Sequence, residues 1–177
     1  SSMAPAAKKA REDESNLPSN DDPSSGFIRF EVENVSDLTP KVVFSNVIEV
    51  HQLPWKLGVI RKMNPSFLEV YLYHRKSETD IWSVDVSVEF SLINVGGEKN
   101  INKSYEKMFN HEITNWGFSE FYPWEDVINE EKGFIKDNKI IIEARITLSN
   151  FIGIRTMYPI DYSDPNVPSH DITFLID

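Results

Sequence analysis

The 177-residue chain contains no cysteine. That absence excludes a disulfide framework, a zinc–thiolate centre and a thiol nucleophile, and it points to an intracellular setting, in the nucleus or the cytoplasm. Long apolar runs are missing too. None approaches the ~18 residues of a membrane-spanning helix, and the N-terminus has no apolar signal segment, so no membrane partner is expected. A basic excess is also lacking: 28 acidic residues against 18 basic ones leave a formal charge of −10. Phosphate-backbone binding leaves a basic footprint, so no nucleic-acid partner is expected either.

Catalytic signatures are scarce in the same way. The four histidines, His51, His74, His111 and His170, show no metal-ligand spacing and read as surface or satisfied residues. There is no nucleophile elbow, no zinc-protease helix motif and no phosphate-cradling glycine loop. Gly96-Gly97 falls between strands, where a hairpin turn accounts for it. Carboxylates crowd WEDVINEEKG (Trp124–Gly133), but on the solvated side of a short helix. No catalytic residue, metal site or cofactor is predicted, and a binding module becomes the leading class.

What the chain does have is alternation. Residues 1–26, without an aromatic or β-branched side chain, are expected to be a disordered tail. Lys8, Lys9 and Arg11 form a small basic knot there, read as solvated, with an import signal as the alternative. From Phe27 the period becomes two, first in FIRFEVENV (Phe27–Val35). Val84, Val86, Val88, Phe90 and Leu92 share one face against Asp85, Ser87, Glu89 and Ser91. Ile140, Ile142, Ala144, Ile146 and Leu148 do the same against Glu143, Arg145 and Thr147. Clean alternation means antiparallel sheet with one buried face. Further strands are predicted at Lys41–His51, Lys56–Met63, Phe67–His74 and Ile101–Phe109. One short helix is predicted from Pro123, with Trp124, Val127 and Ile128 on its buried face and Gly133 ending it. So many short strands in one domain predict a β-sandwich. Residues 150–177 read as a linker and the possible start of a following domain, with DITFLID (Asp171–Asp177) as a new strand.

The segment NWGFSEFYPWEDVINEEKGFIKDNKIIIEARITL (Asn115–Leu148) resembles the C-terminal third of a MATH (TRAF-like) domain. LPWKLGVIRKMNP (Leu53–Pro65) is similar to that domain's early strand, and FLEVYLYHRKSETDIWSVDVSVEFSLIN (Phe67–Asn94) to its central pair. The likeness covers residues 27–149 and implies an all-β, eight-stranded antiparallel sandwich with one short helix. Within the family it is strongest toward the ubiquitin-specific proteases and weaker toward the MATH-BTB adaptors of cullin-type ubiquitin ligases. The resemblance implies a non-catalytic module that recruits short linear, Ser-containing peptides by pairing with the strand around W-G-F. The implied peptide-binding residues are Trp116, Gly117, Phe118 and Ser119, with Tyr71 from a neighbouring strand and Asn115, Lys62 and Arg61 beside them. Asn115 stands where the proteases carry Asp, and Lys62 where they carry Arg, so the peptide preference is expected to differ. The loop MFNHEITN (Met108–Asn115) is one residue longer than theirs, which blocks any transfer of roles to Lys107, Met108 or Phe109. No heptad run precedes Phe27, so oligomerisation is not expected.

Overall fold

The computed structural model describes residues 24–75 and 81–154. Of the expected tail over residues 1–26, residues 1–23 lie outside the described residues, as does the DITFLID strand. Ser25 and Gly26 already belong to the first strand, opposite Thr147 and Ile146, and the last strand runs to Ile152, into the expected linker.

Alternation turns into two antiparallel sheets. Their strands are β1 (Ser25–Val32), β2 (Val43–Phe44), β3 (Ile48–Val50), β4 (Leu53–Met63), β5 (Ser66–His74), β6 (Ser83–Leu92), β7 (Ile101–Asn110), β8 (Asn115–Pro123) and β9 (Ile140–Ile152). One sheet runs β1-β9-β6-β7; the other runs β2-β4-β5-β8, with β3 also paired to β4. The inward sets on β6 and β9 are fully buried, and Leu57, Val59, Leu68, Val70 and Leu72 meet them from the second sheet. Trp55, Trp82, Phe109 and Phe121 fill the ends of this core. Arg29 and Glu143 sit opposite each other on the outer face and pair at 3.3 Å.

The expected eight strands are nine, because Lys41–His51 does not form one strand. Ser45 breaks it into β2 and β3: its backbone N–H donates to the Leu57 carbonyl at 2.9 Å, and its hydroxyl accepts from the Leu57 N–H at 2.8 Å. A side-chain oxygen thus stands where the ladder would place a carbonyl, and the chain jogs. His51 leaves the strand for a different reason. With Gln52 it has positive φ (50° and 62°), forming a two-residue turn that matches the twist of its flanking strands, so β4 starts at Leu53.

The helix is also shorter than its apolar spacing suggests. α1 covers only Trp124–Val127, with Pro123 as its N-cap. Trp124 and Val127 are buried, but Ile128 is 45% exposed and not on the buried face. The chain leaves the helix at Ile128, and the Asn129 side chain accepts from the Glu131 N–H to begin a separate 3-10 turn, Glu130–Lys132. Gly133, at φ 88°, ends that turn rather than the helix.

Candidate functional site

β8 ends its sheet: among the described residues only β5 pairs with it. A strand with one unpaired side can accept another strand. The local sequence NWGFSEFYP keeps β8 extended but irregular, and its register against β5 shifts between Leu68 and Val70. Gly117 lies opposite Tyr71. A Cβ there would run into the Val70 carbonyl oxygen and stand 2.7 Å from the Tyr71 Cα. The close approach that demands glycine is therefore made by β5 itself.

Residues directly opposite on antiparallel strands share a face. Asn115 and Gly117 stand opposite Tyr73 and Tyr71, so these four belong to the outer face of the sheet. Tyr71 donates its hydroxyl to a Glu69 carboxylate oxygen at 2.8 Å. Partial burial, that hydrogen bond and the Glu69 charge together hold the Tyr71 phenol well above the usual tyrosine range. It is a neutral polar group at any physiological pH. Asn115 donates through Nδ2 to the Thr114 hydroxyl at 3.2 Å.

Trp116 and Phe118 stand opposite buried Leu72 and Val70, on the inner face. Phe118 packs with Phe90, Tyr105 and Phe121, at centroid distances of 6.1, 5.8 and 6.1 Å. Trp116 instead reaches over the open rim and stays 44% exposed. Ser119 is exposed in the irregular stretch.

The two cationic residues separate. Lys62 is on the outer face opposite Phe67, roughly 13 Å along β4 from Gly58, the residue opposite Tyr71. Arg61 turns to the inner side, its guanidinium carbon 4.8 Å from the Trp124 ring centre. Its Nε is buried and makes no hydrogen bond among the described residues. The structure thus gathers Tyr71, Asn115, Trp116 and Gly117 at one edge, sets Lys62 further along and ties Arg61 to α1.

Lys103 and Tyr105 at this edge escaped the sequence reading, and Lys107 entered it only as a position to which no role could be transferred. Lys103, Tyr105 and Lys107 of β7 stand opposite Phe90, Val88 and Val86, hence on the inner face of the other sheet. Across the rim the Tyr105 hydroxyl donates to the Trp116 carbonyl at 2.8 Å. Lys103 Nζ donates to the Glu120 carbonyl at 3.0 Å. Lys107 Nζ lies 3.9 Å from the Trp116 ring centre, a cation–π contact. Burial raises the Tyr105 phenol above its ordinary range, so it remains a donor. The alternation of IKYK-type inward positions was visible; the strand they would face was not.

The arrangement suits recognition of an extended segment: a strand edge that no other described strand pairs, with only the Tyr105 and Lys103 side chains on its Trp116 and Glu120 carbonyls, a half-exposed indole and neutral hydrogen-bonding groups. Among the described residues no group of three or more His, Cys, Asp or Glu could hold a metal ion, and no helix is long and apolar enough to cross a membrane.

Comparison with known proteins bears on the fold rather than on this edge. The MATH domain profile matches residues 32–148. BTB and MATH domain-containing protein 38 of Caenorhabditis elegans is 28% identical over 161 residues, 86% of this chain and 41% of that protein. Ubiquitin C-terminal hydrolase 12 of Arabidopsis thaliana is 23% identical over 137 residues, and hydrolase 13 is 25% identical over the same length. Each of those matches covers 75% of this chain and 12% of the hydrolase. The chain therefore spans less than half the length of these relatives.

Proposed function

The chain belongs to the MATH domain family, a family of protein-interaction modules, and from that premise we propose that it captures short linear, Ser-containing peptides for a ubiquitin-pathway protein. The observation that carries the reading is the unpaired edge of β8 beside a half-exposed Trp116. A peptide adding to that edge gains backbone hydrogen bonds, while the indole and the Tyr71 phenol supply rigid contact area with few torsions to freeze. Asn115 offers both a donor and an acceptor to a peptide serine without adding charge. A shallow site of this kind buries on the order of 1,000 Å² or less in total, and micromolar affinity is expected.

The parent protein has two readings. In the first, the module serves a deubiquitinase; in the second, it is the substrate-recognition half of a BTB adaptor. The longer match favours the second, since the BTB and MATH protein aligns over 161 residues against 137 for the hydrolases. Reading the coding sequence beyond Asp177 separates them: a BTB domain supports the adaptor, a catalytic cysteine box the protease.

The capture itself is tested by a peptide-array screen on the 177-residue chain, repeated with Trp116→Ala. Loss of an interface indole commonly weakens binding by more than about tenfold. Unchanged binding in the variant would remove β8 from the site.

A further inference from the structure

Two lysines on an inward face are unusual in a chain of formal charge −10. Lys103 and Lys107 stand opposite Phe90 and Val86, both fully buried, so their stems run over core residues and only their heads reach the rim. Neither ammonium meets a carboxylate among the described residues. Lys103 rests on the Glu120 carbonyl and over the Phe118 and Phe121 rings at 5.8 and 5.7 Å; Lys107 rests on Trp116. Glu106 points to the opposite face of β7, and Glu112 lies 3.9 Å from His111. The two heads hold weak, neutral partners at the edge where a peptide would add.

We propose that this pair of lysines makes the β8 edge select peptides with two acidic residues, Asp or Glu, four positions apart. The inference rests on the peptide-capture reading above. Lys103 and Lys107 are four residues apart on one strand, roughly 13 Å, with Tyr105 between them. A segment added to β8 rises at the same rate per residue, so side chains four apart on its rim-facing side reach the two ammonium groups in turn. The residue between them meets Tyr105 and Trp116, where a small or apolar side chain fits. Charge complementarity decides the occupant: a carboxylate replaces a carbonyl and a ring face with a full opposite charge.

An inward lysine on an edge strand also guards that edge against pairing with copies of itself. That role predicts a different outcome, and the experiment separates the two. A Ser-anchored random nonapeptide library is selected on the 177-residue chain, on Lys103→Gln and on Lys107→Gln. The parent chain enriches Asp or Glu at two positions four apart. Each Gln variant loses one of the two preferences, the binding of the selected peptide over its single Glu-to-Gln analogue falling by roughly threefold, and the corresponding Arg variant keeps it.

Enriched peptides without an acidic preference, or with one that neither variant alters, overturn the proposal. So does binding that requires phosphoserine at those positions while Glu is inert. Unaltered selection with new self-association of the variants assigns the lysines to edge protection instead. Failure to enrich any peptide overturns the capture reading, and this inference with it.

Discussion

Trp116 and Phe118 lie two residues apart on one face of β8, yet they answer to different neighbours. Phe118 closes an aromatic cluster with Phe90, Tyr105 and Phe121, whereas the Trp116 ring lies at the rim under Lys107, with Tyr105 on its backbone carbonyl. Truncation should separate them. Phe118→Ala is expected to cost about 2 kcal/mol or more of stability, measured by denaturant unfolding. Trp116→Ala should leave the unfolding midpoint nearly unchanged and lose peptide binding. Equal destabilisation by both would mean that Trp116 is a packing residue and that the peptide contact proposed for it lies elsewhere. At this scale the sequence was informative wherever period two suffices. In FLEVYLYH (Phe67–His74), a strand expected from the sequence, alternation alone sets Tyr71 and Tyr73 on the face opposite Leu72, and the sheet has them there. Arg61 and Lys62 are adjacent in sequence, and neighbouring strand positions send them to opposite faces. Lys103, Tyr105 and Lys107 were legible as one face of a strand, but a face has no meaning until its opposite number across the sandwich is known.

Elements depart from the sequence pattern where a side chain competes with the backbone. Ser45 supplies an oxygen to the ladder and splits a strand; Asn129 starts a new turn and cuts a helix to four residues. Hydrophobic spacing records neither event. β8 is the element on which the proposed function depends, and Gly117 tests how it is held. If the glycine were needed only by an incoming peptide, Gly117→Ala would fold normally and bind poorly. The structure predicts otherwise, because the added methyl meets the Val70 carbonyl and the Tyr71 backbone within the sheet. Gly117→Ala should destabilise the domain by about 1–3 kcal/mol. It should also speed amide hydrogen exchange in β8 and β5 while leaving β6 and β9 protected. Normal stability with uniform protection would restore the peptide as the reason for the glycine.

At the scale of the whole molecule, the tyrosines link the two sheets to solution conditions. Tyr71 and Tyr73 belong to one sheet and Tyr105 to the other, and all three phenols are raised above the ordinary value of 10.0, chiefly by burial, with Glu69 adding to the first two. A group whose folded-state pKa exceeds its unfolded value lends its full stabilisation below the unfolded value, and that contribution is lost as pH rises through the folded one. Stability should therefore be flat toward pH 10 and fall above it, as the unfolded chain releases phenolic protons that the folded chain retains. The net charge of −10 adds self-repulsion in the same direction. Ultraviolet titration checks the assignment: at about pH 11 the native domain should keep phenols protonated that ionise at once on addition of denaturant. Tyr105→Phe should shrink that denaturant-linked step by one phenol and also free the Trp116 carbonyl at the β8 edge. If every phenol ionises near its ordinary value in the native state, the Tyr105 bridge between β7 and β8 is open in solution, and the rim that presents Trp116 is looser than the structure describes.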